Sequence, residues 1–514
     1  MVKYLIGVDV GTSGSKGVLV DLQGRVIASH DREHGMDIPR SGYAEHDADD
    51  VWWNDTRSII RALLDSSGTD PGEIGGVGLS AIGPCVVPVD VAGRPLRTGI
   101  LYGIDTRATR QITRLNEDLG RREIHDRTGQ TLSTQSAGPK ILWLKENEPD
   151  LFARTWKVMT STSYLVMKLT GRTVMDYYTA PFYDPFYNIH TRNWDTDIVS
   201  RYFDPDILPE IAWTTDLAGT VSEEAARLTG LAEGTPVITG TIDAAAEAVS
   251  IGVVEPGQTM VMYGTTFFVI QLVEQLVTSE DLWSSYFCIP NIPILAAGMS
   301  TSAALTRWYR DQFAGLERAA QETTGEDAYA QLTRQAEEIP PGSDGLVVLP
   351  YFSGERTPIN DPDARGTILG LTLKHTAPHV FRSLLEGAAY SLRHNLDAMA
   401  ELGAQPRNIT AVGGGTKSRL WLQIVSDITG LEQNVPETTI GASYGNAYLA
   451  GVGSGIFDGF DTLTHEWVHV RDTVTPNSAN TAVYDYLYRI YRDMYPALKE
   501  PMRRLAELQR GEAI

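Results

Sequence analysis

From Gly7 to Asp21 the chain reads GVDVGTSGSKGVLVD, and no other stretch limits the fold so tightly. Val8 and Val10 flank Asp9 at the end of one apolar run, and Val18 to Val20 form a second. Gly11, Thr12, Ser13 and Gly14 lie between them as a short turn joining two strands. Such a turn directs several backbone N–H groups at one point, a nest that binds an anion, most often a phosphate. Thr12, Ser13 and Ser15 add hydroxyl donors and Lys16 adds charge. Asp9 would repel a phosphate unless a Mg²⁺ lies between them. A plain hairpin with a glycine turn is the competing reading. The pattern GxxxxGK[ST] is absent. A dinucleotide fingerprint would need a helix after Gly14. Here the chain alternates into a third strand at Arg25–Ser29, so the turn sits in an antiparallel meander.

Length and charge narrow the function. A chain of 514 residues makes roughly three domains, or two large ones. The formal charge of −22 argues against nucleic acid, whose binding depends on Lys and Arg, and against an anionic membrane. It does not argue against ATP, because amides and Mg²⁺ act at contact distance. Cys85 and Cys288 have no CxxC or Cys/His cluster around them, which argues against zinc and suits a reducing, cytoplasmic setting. No charged leader or membrane-length apolar run is read, and the 10 histidines are scattered without HExxH.

Further along, a helix is expected from the Ser41–Trp53 stretch to about Asp65, capped by Asp47 or Asp49. A buried strand follows at Ile74–Ser80. Helices are expected at about Thr106–Leu119, Pro139–Asn147, Thr301–Phe313, Ala377–Ala400 and Ala442–Gly451, with an amphipathic helix over 477–508. Residues 315–327 read as polar surface. A strand–turn–strand hairpin recurs at Val261–Ile270, which points to an internal duplication with halves of about 250 residues.

Four motifs carry chemistry. Gly264, Thr265 and Thr266 form the second hairpin's turn and repeat the anion-binding pattern of the first. Asp243 follows the strand at Val237–Gly240 and precedes an alanine-rich helix, at a strand's C-terminal end, where open α/β sheets place ligands. It is a candidate general base, with a simple N-cap as the alternative. In Gly413–Ser418 (GGGTKS), Gly414, Gly415 and Ser418 let backbone approach a phosphate or nucleoside at a helix N-terminus. Asp105 and Arg107, two residues apart on a loop, are either sugar-hydroxyl contacts or an ion pair.

Taken together, these residues resemble the FGGY carbohydrate kinases of the actin/hexokinase/Hsp70 superfamily. Further matching strings are GYAEHDADDVWW, ILYGIDTRA, KILWLKENEPDLF, GERTPINDPDARGTILGLTLKHT and IGASYGNAYLAG. The resemblance implies an α/β fold of two actin-like, ribonuclease H-like lobes with a nucleotide cleft between them. The lobes would span 1–250 and 251–455, with helices over 456–514 packing back on the first. It implies ATP and Mg²⁺ as cofactors, Asp243 as the base that deprotonates a sugar hydroxyl, and Asp9 at the metal. Gly11, Thr12, Ser13 and Lys16 would meet the terminal phosphates, together with Gly264, Thr265 and Thr266. Gly414, Gly415 and Ser418 would border the adenosine. Length and the tandem tryptophans resemble xylulokinases, which implies a pentulose such as D-xylulose as substrate. Those enzymes carry Gln-Met-His-Gly after the Gly78–Ser80 strand; here Gly83 and Pro84 replace the Met and His, and Ala244 replaces an Asn after the base. The alternatives are another ketose, a polyol or a sugar acid as substrate, or a non-catalytic nucleotide-binding regulator. A homodimer is left open.

Overall fold

The computed structural model describes residues 2–437 and 440–511. The chain divides into two compact units. One takes in Met1–Val254, Glu274–Ile294 and Thr438–His469, and the other Glu255–Val273, Leu295–Glu437 and Val470–Ile514.

In the first unit, Tyr4–Val10, Gly14–Asp21 and Val26–Glu33 pair as the expected antiparallel meander. Ile74–Ala81 joins parallel to Tyr4–Val10, and Pro236–Ile238 and Leu217–Thr220 extend that edge. The strand Ile74–Ala81 is buried throughout, as an apolar run covered on both faces should be.

Side chains alternate across a strand, so Gly7 and Val8 face opposite sides of the sheet. On Val8's side its partner Gly17 makes room for Ile59, whose side chain would lie 2.3 Å from a Cβ at residue 17. Ile59 belongs to the helix Asn54–Ser67, which buries Ile59, Ile60, Leu63 and Leu64 and stops at left-handed Gly68. A wider turn at Ala48–Trp53 leads into it, capped by the Asp47 side chain on the N–H groups of Asp49 and Asp50.

On Gly7's side the small-residue helix Ala442–Gly453 lies directly on the sheet. Gly7 pairs with Gly78, and together they form its seat. A Cβ at residue 7 would stand 1.9 Å from the Ser443 carbonyl oxygen, and one at residue 78 would stand 2.1 Å from that of Asn446. On the same helix, Gly445 lets the helix Asp243–Ser250 approach equally closely, since a Cβ at 445 would meet the Ala246 carbonyl oxygen at 2.0 Å.

The second unit repeats the plan. Gln258–Tyr263 and Phe267–Leu272 form an antiparallel hairpin, and Asn408–Val412 joins parallel to its first strand. Gln433–Pro436 and Val470–Val474 follow outward. The helices Ala377–Glu401, Arg419–Thr429 and Ser478–Gln509 pack in this unit, where Tyr484 donates to Glu386 at 3.0 Å and Arg393 pairs with Asp485 at 2.6 Å.

The units therefore cut across the expected boundaries. Residues 470–514 cluster with the second unit, whereas the sequence reading set the terminal helices against the first. The Ala442–Gly453 helix belongs to the first unit, where the paired glycines Gly7 and Gly78 accept its backbone. Local differences are smaller. The helix expected from Thr106 begins at Thr109, and a further helix follows at Arg121–Thr128. The polar stretch after residue 314 forms a helix, Gly315–Thr324, that buries no residue. Among the described residues no helix is long and apolar enough to cross a membrane.

The glycine seat makes a stability prediction. Gly78→Ala sets a methyl against the Asn446 backbone and should cost about 3 kcal/mol. Urea unfolding should show a lower midpoint at unchanged slope; an unshifted midpoint would contradict so tight a seat.

Candidate active site

The pairing register assembles the first cluster. Asp9 lies opposite Lys16 in the hairpin and beside Ser80 in the parallel pair, so all three side chains share the face that carries the Ala442–Gly453 helix. Ser80 Oγ donates to Asp9 Oδ1 at 2.6 Å. Asn446 Nδ2, on the helix above, donates to Ser80 Oγ at 2.7 Å and to the Val8 carbonyl at 2.9 Å. This chain fixes the Asp9 carboxylate at the mouth of the Gly11–Gly14 turn, which is closed by a Gly11 N–H to Gly14 carbonyl bond of 2.9 Å. Ser13 is exposed at the turn's tip, and Gly11 and Thr12 are partly so.

Asp243 opens the helix Asp243–Ser250, immediately after the short strand Thr241–Ile242, which pairs with Ser80–Ala81. Its Oδ1 accepts the Ala244 N–H at 2.7 Å. The strand before it is pinned from below. Thr241 Oγ1 donates to buried Asp176 at 2.6 Å, and Asp176 also accepts Thr214 Oγ1 at 3.1 Å. One helical turn past Asp243 stands Glu247, whose carboxylate accepts the N–H of Ala442.

Three carboxylates in one small region perturb one another. Burial, then the charges of Asp243 and Glu247, push Asp9 well above the ordinary carboxylate range, against the opposing effects of Ser80 and Lys16. Burial also raises Asp243, more than the Ala244 N–H lowers it. Glu247 is raised to about 7 by burial and by Asp243. Among the described residues no three His, Cys, Asp or Glu side chains form a protein-only metal cage. Magnesium does not require one, since it binds through one or two carboxylates plus substrate phosphates. Asp9 fits that role: Ser80 orients one of its oxygens, and its crowded negative charge would be relieved by a cation.

The second unit holds the other turn. Thr265 is exposed at its tip, and Gly264 N–H reaches the Thr266 carbonyl at 3.1 Å. Ser302 Oγ and the N–H groups of Ser302 and Ala304 bond to the Gly264 and Thr265 carbonyls at 2.9–3.1 Å. In the glycine loop Gly414 is exposed with open space around it. Gly415 is demanded by packing, since a Cβ would meet Trp421 and Tyr263 at 2.9 Å. Ser418 caps the helix Arg419–Thr429, accepting from Trp421 N–H at 3.3 Å.

The remaining sequence-derived positions divide. Gly83 is buried against Ile242, the residue before Asp243, 3.1 Å from where its Cβ would lie. Pro84 is buried beside it, and neither residue has a polar side chain. The side chains of Asp105 and Arg107 are fully buried and pair with each other at 2.6 Å. Arg107 also bonds Glu45 at 2.6 Å and lies 4.0 Å over the Tyr43 ring, while Asp105 accepts the Ala44 N–H at 2.8 Å. Most of their polar groups are turned on the protein itself and hold this loop against the 43–46 segment, while Arg107 Nη1 is buried without a hydrogen-bond partner among the described residues.

The family model for the N-terminal domain of the FGGY carbohydrate kinases matches residues 4–250, and the model for the C-terminal domain matches residues 259–454. The chain belongs to the FGGY family of carbohydrate kinases. It is a sugar kinase, and its two units are the actin-like α/β lobes of that family. The xylulose kinase of Staphylococcus xylosus is 28% identical over 498 residues, covering 96% of this chain and 99% of that protein. The gluconokinase of Bacillus licheniformis is 27% identical, covering 99% of each chain. The crystal structure of xylulose kinase from Rhodospirillum rubrum matches with a TM-score of 0.90 at 31% identity, over 97% of this chain and 100% of that one.

In this FGGY kinase the sequence reading overlooked Ser80, Asn446, Glu247 and Asp176. Glu247 had a signal, its four-residue spacing from Asp243 on one helix face. Asn446 had a weaker one, an amide in a helix of otherwise small and apolar residues. Ser80 and Asp176 had none.

Glu247 also sets a pH dependence. Its carboxyl titrates at about 7 in the fold against an ordinary 4.5, so the protein loses stability as pH rises from the lower value through the higher. Glu247→Gln keeps an acceptor for Ala442 N–H and removes that loss. Without nucleotide or divalent cation, the variant should be more stable than the parent by about 1–3 kcal/mol at pH 8. Denaturant titrations should show the difference vanishing below about pH 4.5.

Proposed function

We propose that this kinase transfers the terminal phosphoryl group of ATP to a hydroxyl of a small sugar, nominally a pentulose such as D-xylulose, with Asp243 as general base. The observation that carries the reading is the setting of Asp243. Its carboxylate is made more basic by burial, accepts a single protein hydrogen bond among the described residues, and lies within electrostatic reach of Asp9 beside the Gly11–Gly14 turn.

Phosphoryl transfer needs an aligned acceptor and neutralised charge far more than covalent help. Asp243 takes the proton of the acceptor hydroxyl as that oxygen bonds to the γ-phosphorus. The bond from phosphorus to the bridging oxygen breaks, and ADP leaves with the electron pair. The amides of the Gly11–Gly14 turn, with Lys16, receive the phosphate oxygens, and Gly264, Thr265 and Thr266 are the corresponding donors of the second unit. Gly414, Gly415 and Ser418 border the adenosine. A magnesium ion at Asp9 would draw charge from the β- and γ-phosphates.

The identity of the sugar turns on Gly83, Pro84 and Ala244. A pocket built to hydrogen-bond a hydroxyl discriminates strongly, and these positions offer no side-chain donor or acceptor. This favours a second reading, in which a different ketose, a polyol or a sugar acid is preferred over D-xylulose.

Two outcomes test this. Asp243→Ala should keep ATP binding by calorimetry and lose at least about 10²-fold in turnover; near-normal turnover would refute the base. In a panel of xylulose, ribulose, fuculose, gluconate and tetritols with coupled ADP detection, D-xylulose should be a weak acceptor. If it proves the best of them, the reading of Gly83 and Pro84 is wrong.

A further inference from the structure

We infer that His34, held by Asp55, is a positioning residue that ties back the carbonyls of the Gly11–Ser15 turn and so aims its amides at the terminal phosphates of a nucleotide. The inference rests on the reading of that turn as a phosphate site.

The two turns are tied back in different ways. In the second, the Gly264 and Thr265 carbonyls are bonded by Ser302 and Ala304 at a helix N-terminus. A trans peptide points its C=O and N–H in opposite directions, so those bonds leave the Thr265 and Thr266 N–H groups facing outward. Among the described residues no such helix serves the first turn; His34 bonds its carbonyls instead. Its Nε2 lies 3.0 Å from the Gly11 carbonyl oxygen, and its backbone N–H donates to the Ser13 carbonyl at 3.1 Å. The N–H groups of Thr12 and Gly14 are thereby turned the other way.

The ring is in turn fixed. His34 Nδ1 lies 2.9 Å from Asp55 Oδ2. That oxygen also accepts Ser15 Oγ at 2.8 Å, and Oδ1 accepts Arg32 Nε at 2.7 Å. Burial alone would raise the Asp55 carboxyl, but the hydrogen bonds from His34, Arg32 and Ser15 hold it below the ordinary range. Asp55 is thus an acceptor on every side, and so is the Gly11 carbonyl. Each ring nitrogen faces an acceptor, and the one that carries the proton donates to it. The ring of His46 packs edge-on against His34 at 5.2 Å, and its own Nδ1 accepts from Trp52 Nε1 at 3.0 Å. The network ties both ends of the turn, Gly11 and Ser15, to one carboxylate on the helix Asn54–Ser67.

A residue that aims amides at terminal phosphates affects ATP and leaves AMP alone. The test is calorimetric titration of the full chain with ATP and with AMP, for the parent, His34→Phe, His34→Gln and Asp55→Asn, with thermal melting alongside. His34→Phe should weaken ATP binding about ten-fold or more, as loss of charge-assisted bonds does, while AMP affinity stays within about two-fold. Asp55→Asn should follow the same pattern. His34→Gln, which keeps one donor for the Gly11 carbonyl, should recover part of the ATP affinity. Folded His34→Phe with an unchanged preference for ATP over AMP would overturn the role of His34 alone. Equal loss of ATP and AMP would overturn it too, as general damage. A parent that itself shows no preference for ATP would overturn the phosphate reading of the turn and this inference with it.

Discussion

The backbone contact between the Ala442–Gly453 helix and the glycine pair Gly7 and Gly78 is the constraint on which the first lobe depends. No side chain separates the helix from the sheet there. The same helix meets the Asp243–Ser250 helix through Gly445, so one small-residue element fixes a sheet and a second helix together. Asn446 reaches Ser80 and through it Asp9 only because the helix lies so low, and Glu247 reaches the N–H of Ala442 for the same reason. The proposed metal carboxylate and the proposed base are thus held by one packing arrangement, and interiors this dense do not deform by small steps.

That arrangement stores unfavourable electrostatics. Asp9, Asp243 and Glu247 repel one another and are each driven toward the neutral form. Such clustering costs stability and is common where charge has work to do. The neighbouring turn has the opposite character, with amides, hydroxyls and Lys16 gathered at its tip. The net charge of −22 says nothing against an anionic substrate at this turn, because the local donors act at contact distance and the distant charge is screened.

Much of this was legible in the chain. The strands around Gly11–Gly14 and Gly264–Thr266, the helix after Asp243 and the glycine loop before Ser418 all followed from local pattern, since turns, caps and alternation are short-range properties. The helix Gly315–Thr324 was read only as polar surface, because its apolar stripe is limited to Leu316, Ala319 and Ala320 and none of its residues is buried. Asp105 and Arg107 show the same limit in the site. Their spacing suited either a sugar contact or an ion pair; the ion pair forms, and it is Glu45 and Tyr43, some sixty residues away, that hold it in place.

The sequence by itself determined the two glycine–threonine hairpins and the aspartate that opens a helix at a strand's end, because each is written within about twenty consecutive residues, and the duplicated plan showed in the hairpin's recurrence. Tertiary structure alone decided which lobe receives the Ala442–Gly453 helix, which amide steadies Asp9 and which histidine braces the Gly11 turn. Those choices join residues up to 438 positions apart. Contacts at that range leave no periodic trace along the chain; they depend on where glycine leaves room for one backbone to lie on another.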